Sequence, residues 1–146
     1  MTSEEIAING FYQFRGEDLS SLSHNIAEEI KGLKCMQHPL GFYHFRLYAK
    51  EKVSVRLHYW PFKERPSSSA ATPYHDHVWN LQSCVLTGRI ENVLLTLKKD
   101  TAGPYVVAQI EQINGVDAVV PTSERVRIDS TEINSYSAGE NYSMQS

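Results

Sequence analysis

The chain has 146 residues, 41% of them hydrophobic and 21% charged, with a net charge of −3. That length suits one domain with a real core, and the balance is that of an ordinary globular protein. The mild acidity gives no reason to expect nucleic acid or an anionic membrane surface as partner, and no run approaches the ~20 apolar residues of a membrane span.

Met1-Thr2-Ser3-Glu4-Glu5 is acidic and lacks the basic start of a secretory signal. Cys35 and Cys84 lie too far apart for a redox or metal spacing. A cytoplasmic, reduced protein is expected. Over residues 17–34, Leu19, Leu22, Ile26, Ile30 and Leu33 recur at steps of three and four, which predicts a helix with one apolar face. Residues 1–41 form a helical N-terminal extension on this view. Phe42–Tyr48 and Lys52–Trp60 read as strands joined by the charged turn Ala49-Lys50-Glu51. Pro61–Pro73 holds three prolines and the run Ser67-Ser68-Ser69-Ala70-Ala71, a mobile loop in which Ser67–Thr72 could act as a lid. After Gly88, short strands are expected at Glu91–Leu97, Tyr105–Ile110, Val116–Val120 and Val126–Asp129. Asp100-Thr101-Ala102-Gly103-Pro104, Asn114-Gly115 and Pro121-Thr122-Ser123 separate them. Several short strands at this spacing predict an all-β antiparallel jelly-roll barrel. No repeat and no domain boundary interrupts the single domain 1–146.

The chemistry concentrates in Pro73-Tyr74-His75-Asp76-His77-Val78-Trp79-Asn80-Leu81-Gln82-Ser83-Cys84-Val85-Leu86-Thr87-Gly88. On a strand, His75 and His77 leave the same face, and two converging imidazoles make the commonest metal-binding pair. Asp76 points away by the same alternation and suits a turn or a supporting hydrogen bond. Cys84 falls on the opposite face and reads as a small core residue.

Two other strands carry polar faces. Ser54, Arg56, His58 and Trp60 share one side of theirs, while Val53, Val55, Leu57 and Tyr59 share the other. In the preceding strand His44, Arg46 and Tyr48 oppose Tyr43, Phe45 and Leu47. Such faces are either solvated or line a ligand cavity, where the planar fork of Arg46 or Arg56 could anchor a carboxylate beside Tyr48, His58 and Trp60. His24 and His38 read as surface residues. No nucleophile elbow and no phosphate-cradling glycine loop occurs.

The histidine run resembles the first motif of the cupin superfamily: His-x-His, a glutamate three or four residues on, then glycine after six more. His75, His77 and Gly88 match; the glutamate position falls on Leu81, or on Gln82 with the longer gap. Loss of that glutamate is similar to thiol dioxygenases, cupins that hold iron with histidines alone and carry an anchoring arginine on an early strand. Tyr136-Ser137-Ala138-Gly139-Glu140-Asn141-Tyr142 resembles the opening of the second cupin motif. Its proline position falls on Gln145 and its histidine at position 150. A natural chain longer than 146 residues, supplying the last strands and the third histidine, is therefore expected.

The resemblance implies one divalent metal, Fe(II) favoured, held by His75 and His77. It implies an oxygenase acting with O2 on a small carboxylate-bearing molecule such as an amino or thiol acid. The alternative is a cupin using Zn, Mn or Ni for isomerisation, cyclisation or elimination, or a non-catalytic small-molecule-binding cupin. No catalytic group is assigned beyond the metal site. A homodimer is compatible with either.

Overall fold

The structure is a computed structural model that describes residues 2–9, 19–38, 41–61, 74–114 and 116–145. It is mostly β, with antiparallel sheets, and among the described residues no sheet closes into a barrel. Among the described residues no helix is long and apolar enough to cross a membrane. The chain is laid out in two compact units, Met1–Arg89 with Tyr136–Ser146, and Ile90–Ser135.

The first unit opens with α1 (Ser3–Asn9) and α2 (Leu19–Glu29). A reciprocal cap starts α1: the Glu5 N–H donates to Thr2 Oγ1 at 3.3 Å, and the Thr2 N–H donates to the Glu5 carboxylate at 2.6 Å. The Ser3 N–H donates to Glu29 Oε1 at 2.9 Å, tying α1 to α2. Periodicity works in α2 as expected. Leu22 and Ile26 are buried with Ile6, while Leu19 and Ile30 pack at the edge of that cluster. Gly32, at φ +84°, takes the left-handed conformation that ends helices, so Leu33 lies outside α2 and is exposed.

Next come β1 (Met36–Gln37), β2 (Tyr43–Lys50) and β3 (Val53–Tyr59), ordered β1-β2-β3 in one antiparallel sheet. The β1–β2 turn closes by His38 N–H to Phe42 O at 2.7 Å and Gly41 N–H to His38 O at 2.9 Å. Gly41 sits at φ +84°, which glycine adopts without strain. Leu47, Val55 and Leu57 pack against Ile6, Leu22 and Ile26, so one face of the hairpin is the apolar wall of this unit. Two further strands, β4 (Leu81–Cys84) and β8 (Asn141–Met144), pair antiparallel from Leu81↔Met144 to Cys84↔Asn141. The pairing continues through Val85 N–H to Glu140 O at 3.0 Å, Gly139 N–H to Val85 O at 2.8 Å and Ala138 N–H to Gly88 O at 3.0 Å. Cys84 packs beside the core as expected, and burial pushes its thiol up to about 11, which makes it unreactive.

The second unit is a three-stranded sheet ordered β5-β7-β6, from β5 (Arg89–Lys99), β6 (Tyr105–Ile113) and β7 (Val116–Ser137). Asp100 shapes the β5–β6 turn, its Oδ1 accepting from the Ala102 N–H and its carbonyl from the Gly103 N–H, both at 2.9 Å. Asn114 turns the chain at φ +53°. The expected break at Pro121-Thr122-Ser123 does not occur: β7 runs through it. The ladder instead slips between Val106↔Arg125 and Ala108↔Pro121, and Thr122 Oγ1 donates to the Val107 carbonyl at 2.8 Å. The slip absorbs a proline that cannot donate to a ladder.

Candidate metal and ligand site

Residues 74–80 precede β4 and form no strand, so the histidine pair sits on an irregular lead-in with a bend at Val78 and Trp79 rather than on the strand expected from alternation. The rings meet nonetheless. The His75 and His77 centroids lie 4.8 Å apart, edge to face at 88°. Imidazoles bound to one ion through nitrogens at about 2.1 Å bring their centroids to roughly 4.5–5.2 Å, so this spacing fits a shared ion. Trp79 packs on His77 at 4.6 Å. Burial and the neighbouring His75 lower the proton affinity of His77 and favour the neutral form that ligates, while Asp76 opposes them. The pair supplies only part of a ligand set. Among the described residues no group of three or more His, Cys, Asp or Glu side chains is gathered to hold a metal. The position expected to lack its carboxylate holds the half-buried Leu81, with Gln82 exposed beside it.

The hairpin presents a second cluster. Cross-strand pairs Met36↔His44, His44↔His58 and Arg46↔Arg56 put these side chains on one face, opposite the apolar wall. His38 stacks on Phe42 at 4.2 Å, His58 and Trp60 each lie 4.8 Å from Phe42, and His44 stands 6.2 Å from both His38 and His58. Those 6.2 Å separations exceed what adjacent ligands on one ion allow, so the cluster reads as a packed aromatic box. His58 still reaches solvent along part of its surface, yet its ring is enclosed by Phe42, His44 and Trp60. Burial, helped by His44 and Arg56, pushes it down to about 4. His38 and His44 are lowered for the same first reason, His44 further by Arg56 and Arg46. Nδ1 of His44 is buried without a hydrogen-bond partner. The charge of His75 is among the lesser causes that depress His38.

Of the anticipated ligand residues, Arg46, Arg56, His58 and Trp60 come together. Tyr48 does not. A bulge between Arg46 and Tyr48 shifts the ladder so that Tyr48 opposes Val55, on the apolar side. His24 is exposed as expected, but His38 is half-buried in the box, not a surface residue. The β1–β2 pairing, Met36↔His44 and Gln37↔Tyr43, is what brings it to Phe42. Ser67–Thr72, with most of its loop, lies outside the described residues. No protein-family model, no curated protein and no solved structure matches the chain.

Proposed function

We propose that this chain is a cupin-type mononuclear non-haem metal protein, with Fe(II) at His75 and His77, that oxygenates a small carboxylate-bearing molecule such as an amino or thiol acid. The observation that carries this is the 4.8 Å edge-to-face His75–His77 pair, whose spacing fits a shared ion. A second line of support is the register. The stretches resembling the two cupin motifs are zipped together as β4 and β8, which is how a jelly roll would use them.

His75 and His77 would hold the ion, Trp79 would fix the His77 ring, and Arg46 or Arg56 would orient the substrate carboxylate. The chemistry supplied by iron there is activation of O2 beside a bound substrate. The test is metal analysis of anaerobically purified full-length protein, then oxygen uptake against a panel of amino and thiol acids. One iron per chain, absent from the H75A/H77A double variant, with uptake on at least one acid, is the expected result. Zinc, manganese or nickel without uptake would favour the non-oxidative cupin chemistries. Full metal retention by the double variant would overturn the proposal.

A further inference from the structure

Arg46 and Arg56 are directly opposed across the β2–β3 ladder, on the exposed face that carries His44, His58 and His38. Like charges in that relation repel, and strand pairs normally avoid them or insert an acid. Neither guanidinium has an ion-pair partner among the described residues. The one side-chain hydrogen bond at either, Arg56 Nε–H to Ser54 Oγ, is long at 3.4 Å. The positions flanking them in register, Met36, His44, Ser54 and His58, include no carboxylate. Immediately after Arg46 the strand bulges, a device that re-aims the neighbouring side chain and tightens the local twist. The buried Nδ1 of the neighbouring His44 has no hydrogen-bond partner.

We infer that the Arg46–Arg56 pair is a receptor for a small dianion, a molecule carrying two negative charges on one compact group or on two adjacent ones, such as a phosphate ester or a dicarboxylate. A single carboxylate would satisfy one fork and leave the opposing cation unbalanced. Two negative charges neutralise both, and two sets of oxygens can each accept a pair of parallel N–H bonds. His44 stands two residues from Arg46 on the same side of the sheet, opposite His58. The inference deepens the oxygenase proposal by fixing the charge class of its substrate. It needs only the hairpin face, so it stands or falls separately from metal binding.

The experiment titrates the full chain with malonate, inorganic phosphate and acetate at constant ionic strength, following thermal melting and binding heat, with metal content measured in parallel. Malonate or phosphate should raise the melting temperature and acetate should not. R46Q and R56Q should each weaken binding of the effective dianion at least tenfold. In anion-free buffer neither variant should melt below the wild type, because each relieves a repulsion. Preference for malonate marks a dicarboxylate site, and preference for phosphate a phosphate-ester site. Equal effects of acetate and the dianions, unchanged affinity in both variants, or a variant that melts lower without anion would overturn the inference. Dianion binding in protein that takes up no metal would keep this site and remove the oxygenase.

Discussion

The two units solve the problem of staying folded in different ways. In the first, α1 and α2 clamp onto one hairpin face, and five of the six buried apolar side chains among the described residues belong to it: Ile6, Leu22, Ile26, Phe42 and Val85. In the second, Val126 alone is buried, while Val93, Leu97, Ile110 and Ile133 are exposed, so its order rests on ladder hydrogen bonds and close backbone contact. Chemistry follows the same division. All six histidines, both tryptophans and both cysteines lie in the first unit. A side-chain core fixes rotamers on the wall behind a site, and a bare ladder does not.

Leu22→Ala tests the first unit hardest. The side chain is 1% exposed, and its truncation should cost about 2–5 kcal/mol, read as a lower denaturant midpoint. A loss below 1 kcal/mol would mean that the helices do not set the stability of this unit. Gly103→Ala probes the second, where an added Cβ would overlap the carbonyl of Val126 and crowd that of Asp100. Both obstacles are backbone, so a loss of about 1–3 kcal/mol is expected. A neutral result would show the β5–β6 turn to be free to shift.

The gentlest probe is pH. His58 takes a proton near 6.5 when unfolded but only at about 4 when folded, so the unfolded state binds more protons between those values. Stability should therefore fall as pH drops from 6.5 toward 4 and gain nothing from this group above that window. His38 and His44 act in the same direction. Denaturant midpoints at pH 7 and pH 5 should differ less in H58N than in the wild type. An identical drop in both would place the sensitivity elsewhere.

What the sequence made legible was whatever periodicity encodes. The Leu19–Leu22–Ile26–Ile30 stripe and the alternation of β3 both found their faces. Failures came where one residue changes the count. Leu47 enters the bulge and turns Tyr48 to the apolar side, which strict alternation cannot see. Pro121 looked like a break because a proline cannot donate, yet a slipped ladder with Thr122 on the Val107 carbonyl absorbs it. Thr2-Ser3-Glu4-Glu5 carries a capping signature whose helix is too short to show an apolar stripe. His75 and His77 do come together, but not by the strand alternation that suggested it, since no strand holds them. His38 and Phe42 could not be found that way, since the sheet rather than the local chain brings them to His58.

The β4–β8 pairing has a bearing on how the chain reaches its folded state. Leu81 and Met144 are 63 positions apart, yet they are ladder partners, while Gly88 and Ala138 are hydrogen-bonded neighbours. Everything between them is, in topological terms, one loop. Closing a loop of that size from an unstructured chain is slow, and the cost precedes the contacts that reward it. The β6–β7 ladder, by contrast, begins across a turn at Asn114 and needs only near neighbours. Local zipping of the inserted sheet shortens the effective loop before β8 must find β4. The strand next to the histidine pair should thus be among the last elements to lock, after the β2–β3 hairpin has formed.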